Sequence, residues 1–139
     1  MNSLSDGAMR LMFREPNFSE RAFELLSNFF TAIKNTFNDE WDGHTPKTSR
    51  LVHGAGVVSM GYVMETLFAI YQSDRVEDFE KGLDHLKNKT AWTDGVWMFG
   101  PDDNRIWNSI QYVPRDVKQL AQYLISTIKK TASQATTLN

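Results

Sequence analysis

The sequence contains no cysteine. Disulfides, thiol nucleophiles and cysteine-based metal sites are therefore excluded, and the composition fits a reducing cytoplasm. Charge of one sign is also scarce. The formal net charge of −2 argues against broad coating of nucleic acid and leaves room only for a local basic patch. Residues Met1 to Asp6 lack the basic and long apolar regions of a signal peptide. No internal repeat and no long low-complexity linker interrupts the chain. His44, His53 and His85 are not at metal-ligand spacing, so no metal and no cofactor is expected. No serine sits in a nucleophile elbow. The acid pairs Asp39-Glu40, Glu77-Asp78 and Asp102-Asp103 read as solvated faces or turns.

What is present is enough apolar material for a core. The 139 residues are 41% apolar and 12% aromatic, which suits a single domain spanning 1–139. The chain is organised around Arg50 to Tyr71, a long apolar run with only two full charges, Arg50 and Glu65. It is too long for a strand and reads as a helix buried on more than one face. Its His, Ser, Glu, Thr and three glycines favour a core helix of a soluble protein over a membrane span. Gly54, Gly56 and Gly61 each cost about 1 kcal/mol against Ala in a helix, so they imply close approach by another group.

Around it, a short helix over Leu4 to Phe13 stops at Pro16. Asn17 or Ser19 caps a second helix with Phe23, Leu26, Phe30, Ile33 and Phe37 as its stripe, widened by Leu25, Phe29 and Ala32. Asn38 to Lys47 is a loop, and Thr48 or Ser49 caps the central helix. Ser73 or Asp74 starts a further helix with Val76, Phe79, Leu83 and Leu86 on one face, stopped at Asn88. Thr90 to Tyr112 is irregular and Trp-rich. A hairpin fits it, but a loop with a helical turn over Arg105 to Ile110 is preferred. Pro114 opens the last helix, with Val117, Leu120, Ala121, Leu124, Ile125 and Ile128 as its stripe. Residues 131–139 read as a frayed tail. The expected fold is all-α, a bundle-like domain of four to five helices around the central buried helix, with one irregular Trp-rich segment.

Two constellations are candidate sites. Lys47, Thr48, Ser49, Arg50, His53 and Gly54 cluster at the start of the central helix, where free N–H groups and the helix dipole suit a phosphate or carboxylate. The alternative is a capped helix in which Arg50 pairs with a carboxylate and His53 is a satisfied core group. Trp92, Trp97 and Trp107 with Arg105 are arranged to stack nucleobases or, alternatively, to pin the irregular segment onto the helices. No catalytic residue emerges from either.

Three strings carry a family resemblance. They are Lys47-Thr-Ser-Arg-Leu-Val-His-Gly-Ala-Gly-Val-Val-Ser-Met-Gly-Tyr-Val-Met-Glu, then Lys89-Thr-Ala-Trp-Thr-Asp-Gly-Val-Trp-Met-Phe-Gly, then Trp107-Asn-Ser-Ile-Gln-Tyr-Val-Pro-Arg-Asp-Val. Together they resemble the C-terminal portion of DGQHR-domain proteins, a bacterial group that includes proteins associated with DNA phosphorothioation and related defence islands. The similarity runs from about Phe18 to Lys130. The Asp-Gly-Gln-His-Arg pentapeptide is absent, and Asp42-Gly43-His44 does not replace it. The resemblance thus implies the helical C-terminal module alone, as a fragment or a short stand-alone member, without the ParB-like portion. No catalytic residue carries over. The implied function is a non-catalytic cytoplasmic interaction module, a homodimer or a binder of another protein, serving a DNA-modification or defence system. The alternative is a nucleic-acid- or nucleotide-binding module using Lys47, Arg50, His53, Arg105 and Arg115.

Overall fold

The computed structural model describes residues 18–137. The expected helix over Leu4 to Phe13 and the Asn17 cap lie outside them. The order of elements is α1 (Phe18–Thr36), α2 (Asn38–Trp41), α3 (Gly54–Tyr71), α4 (Val76–Leu83), a 3-10 turn (Asp84–Leu86), β1 (Val96–Gly100), β2 (Asp103–Ile106), a 3-10 turn (Trp107–Ser109) and α5 (Pro114–Thr137). The fold is largely helical, but it is not all-α, because a small antiparallel hairpin is inserted before α5.

The central helix is apolar nearly all round, so it is buried on several sides. Ala55, Gly56, Ser59, Met60, Gly61, Val63, Met64 and Leu67 are all inside. It packs chiefly on α5, while α1 packs chiefly on α4. Among the described residues, α3 is the one helix long and apolar enough to cross a membrane. It packs against α4 and α5, and 44% of it is buried. At its end Gln72 turns left-handed (φ 53°) and donates its N–H to the Phe68 carbonyl.

Gly82 of α4 faces Leu67 of α3 so closely that a Cβ there would lie 2.3 Å from Leu67 Cδ2. The glycine that weakens α4 in isolation is what lets the two helices meet. Asn88, the expected stop, is also left-handed (φ 67°).

Several boundaries and faces differ from the sequence reading. The central helix begins at Gly54 rather than Arg50, and its cap is His53, whose Nδ1 accepts the Ala55 N–H at 3.1 Å. On α1 the buried stripe is Ala22, Leu25, Phe29, Ala32 and Ile33, whereas Phe23 is 74% exposed. The two stripes are adjacent on the helix and both are rich in Phe and Leu. Packing against α4 decides between them, through an edge-to-face contact of Phe29 with Phe79 at 5.2 Å.

The Trp-rich segment forms the hairpin that sequence reasoning set second, followed by the helical turn it preferred. Val96 pairs with Ile106 and Trp97 with Arg105. Alternation therefore puts Trp97 inward and Val96, Met98 and Ile106 outward, where they are exposed. Trp92 and Trp97, both 1% exposed, meet edge to face at 5.0 Å and seat the hairpin on the helical core. Finally, α5 continues to Thr137 across much of the expected frayed tail. No Gly or Pro occurs after Pro114 to stop it.

Candidate functional site

The start of α3 is a structural joint. Arg50 is 7% exposed, and its guanidinium points inward. Nε donates to the Ile110 carbonyl at 2.9 Å, Nη1 to Pro46 at 2.9 Å and Nη2 to Asn108 at 2.7 Å. Its Cζ lies 5.6 Å from the centre of the Trp107 ring. The partners are carbonyl oxygens, not the carboxylate that the sequence suggested. One buried cation thus ties the loop before α3 to the segment before α5. Burial pushes the guanidinium below its ordinary pKa.

The other candidate residues there do not converge on a common outward point. Ser49 Oγ donates to the Glu40 carbonyl at 2.7 Å. Thr48 Oγ1 contacts His44 Nδ1 at 3.0 Å inside the loop, and Lys47 is exposed. His53 is held neutral by burial and by the nearby Arg50 charge, as its role of cap acceptor requires. Gly54 lies beneath the Tyr112 ring, where a Cβ would come within 2.9 Å of Cδ2.

The aromatic set divides similarly. Trp92 and Trp97 are core residues and present no face to a ligand. Trp107 is half-buried against Arg50. Arg105, on the inner face of β2, forks onto Asp116 with Nη1–Oδ1 at 2.8 Å and Nη2–Oδ2 at 3.3 Å. Asp116 also accepts the Gln111 N–H at 2.9 Å. The Arg105 hydrogen bond is the main reason that the Asp116 carboxyl sits below its usual range. The Gln111 N–H and the charges of Arg105 and Arg115 add to the effect, and burial opposes it. This pair clamps the hairpin to the first turn of α5.

The open surface lies along α5, of whose basic ridge the sequence reading named Arg115 alone as a binding residue. Arg115, Lys118, Gln122, Ser126, Lys129 and Lys130 are all exposed and form its outer ridge. No carboxylate interrupts it. On one flank, a groove of about 720 Å³ is lined by Val58 and Tyr62 of α3 and by Val117, Ala121 and Ile125 of α5. Tyr112 and Pro114 close one end, and Lys118 and Gln122 stand at the rim. On the other flank, toward the hairpin, lie a polar cleft of about 670 Å³ and a mixed one of about 350 Å³ that share Gln119 and Gln122.

The signal for this face was in the charge order. From Asn104 onward the chain has five cations, Arg105, Arg115, Lys118, Lys129 and Lys130, against the single carboxylate Asp116. The preceding residues carry the other ten cations and sixteen carboxylates. A near-neutral total conceals this segregation.

No group of three or more His, Asp or Glu side chains among the described residues is placed to hold a metal ion. No known family's profile, no curated protein and no solved structure matches the chain.

Proposed function

We propose that this chain is a non-catalytic, cytoplasmic interaction module that works by association through the open side of α5. Resemblance of three of its strings to the C-terminal part of DGQHR-domain proteins supports the expectation that it serves a DNA-modification or defence system. The observation that carries the reading is the apolar groove between α3 and α5. Val58 and Tyr62 at i and i+4, and Val117, Ala121 and Ile125 at i, i+4 and i+8, are the two walls an amphipathic helix would fill. The groups with chemical potential elsewhere, Arg50, His53 and Asp116, are occupied in holding joints together.

The occupant is a helix of another protein with acidic residues beside its apolar stripe. Among the described residues, the one charged side chain lining the groove is the Lys118 cation, with Arg115 one turn away. A second copy, docked face to face, would bring these cations against themselves. The test is titration with an amphipathic helical peptide carrying Leu on one face and Glu beside it, and with its Lys-flanked twin. The Glu form should bind more tightly, and Ile125→Glu, at a residue partly buried against the core, should abolish binding while the chain stays folded with a modestly lowered melting temperature. Equal binding of both peptides, or binding indifferent to Ile125→Glu, removes the reading. Sedimentation showing a dimer that Ile125→Glu dissociates would assign the groove to a second copy.

A second reading, nucleic-acid binding, is favoured by the segregation of charge onto α5 rather than by the start of α3.

A further inference from the structure

We infer that the flank of α5 facing the hairpin binds single-stranded nucleic acid, on a surface that meets the apolar groove at Lys118 and Gln122 but does not use its apolar walls. The α5 ridge offers four cations, Arg115, Lys118, Lys129 and Lys130, and no carboxylate among its exposed side chains. Arg115 and Lys118 line the larger polar cleft, and Lys130 lines the smaller one. The ridge from residue 115 to residue 130 spans about 22 Å at helical rise, so it meets several phosphates of one strand.

The cleft behind the ridge suits a strand better than a duplex. It lies between the hairpin and α5. Gln122 lines both of its halves with an amide able to donate and accept, while the Gln119 amide is already bonded to Asp103 and Arg105. Half-buried Phe99 and Tyr123, in edge contact at 5.3 Å, line its far half and offer apolar ring surface to an unstacked base. A duplex keeps its base faces stacked inside and would leave this ring surface unfilled.

The Asp116 charge does not oppose an anion here, because Arg105 neutralises it at 2.8 Å. The one exposed carboxylate in the cleft is Asp103, whose Oδ2 accepts from Gln119 Nε2 at 2.6 Å. Asp103 therefore repels a phosphate strand, and it provides a substitution whose effect has the opposite sign to the loss of a lysine.

The experiment is fluorescence anisotropy of the full chain with a labelled thymidine oligonucleotide of about 20 residues, over about 50 to 200 mM salt. With about three phosphates neutralised, affinity should fall on the order of tenfold across that range, as expected for single strands. Lys118→Glu with Lys130→Glu should weaken binding at least tenfold and flatten the salt slope. Both side chains are exposed, so the melt should not change. Asp103→Asn should tighten binding severalfold.

Four outcomes overturn the proposal. They are absence of binding at the lowest salt, affinity unmoved by the double lysine variant, a duplex bound as tightly as the strand, and polyglutamate competing as well as the oligonucleotide. The last of these would assign the ridge to an acidic protein. Ile125→Glu should leave oligonucleotide binding intact, so failure of the groove reading and failure of this one are distinguishable.

Discussion

The carbonyl oxygen of Arg50 occupies the space that a Cβ on residue 56 would need, at 1.8 Å from the ideal position. Gly56 is thus the reason the chain can fold back over the first turn of α3, and the reason Arg50 lies inside it. Gly56→Ala gains about 1 kcal/mol of helix propensity and meets rigid backbone. The clash wins, and destabilisation of at least about 1–3 kcal/mol is expected. Gly82→Ala instead meets the end of the Leu67 side chain, which can turn aside. Urea melts of both variants should rank Gly56→Ala as the more damaging. Equal midpoints would show that the backbone at Arg50 yields.

Removing Arg50 should unfold a joint rather than empty a ligand site. Arg50→Ala strands three carbonyls, each previously bonded to a charged donor. Such bonds contribute roughly 1.5–3 kcal/mol apiece, so a loss of several kcal/mol is expected. Arg50→Lys should recover little of it, because one ammonium on a flexible stem does not reproduce the planar fork. A melt unaltered by Arg50→Ala, together with lost phosphate binding, would restore the anion site that the sequence suggested.

Acid should weaken the hairpin clamp. Asp116 has a folded-state pKa below its unfolded value. Its contribution is therefore fully present above the unfolded carboxylate pKa, about 3.9, and is lost as pH falls through the lower folded value. Asp116→Asn should be less stable than wild type near pH 6, and the gap should narrow below about pH 4. A gap that stays constant down to about pH 2 would mean the carboxylate charge contributes nothing.

His53 gives the corresponding test nearer neutrality. Its folded pKa is lowered, first by burial and then by Arg50. The stability it confers is present above the unfolded value of about 6.5 and declines as pH falls through the folded one. His53→Asn retains a cap acceptor without the titration. The variant should therefore lack the component of stability that wild type loses as pH falls below about 6.5. Parallel stability profiles for the two proteins in that range would dismiss the effect.

The long apolar periods of α3 and α5 were legible because burial on several sides, or on one face, leaves a direct imprint on residue order. Pro114 marked the start of α5 for a local steric reason. The face of α1 was legible except at its edge, since Phe23 fits helical periodicity as well as Phe29 does and only packing against α4 distinguishes them. Nor was the role of Arg50, because its partners are backbone carbonyls 60 or so residues away, which carry no side-chain signature. His53 looked like a chemical residue for the same reason that it makes a good cap, a ring nitrogen able to accept. The α5 ridge was hidden differently. Whole-chain net charge averages over sequence, while a binding surface samples only the exposed side of one helix.

The Arg50 guanidinium also has a kinetic meaning. Its three bonds reach Pro46, Asn108 and Ile110, and the backbone N–H of Arg50 donates to the Trp92 carbonyl at 2.8 Å. The two ends of the fold's longest irregular stretches therefore share one fastening. Neither can open without breaking bonds to the other, so they form a single cooperative unit in native-state exchange. The Arg50 and Gln111 amides, far apart in sequence, should exchange with solvent at matching rates, and Arg50→Lys should accelerate both together.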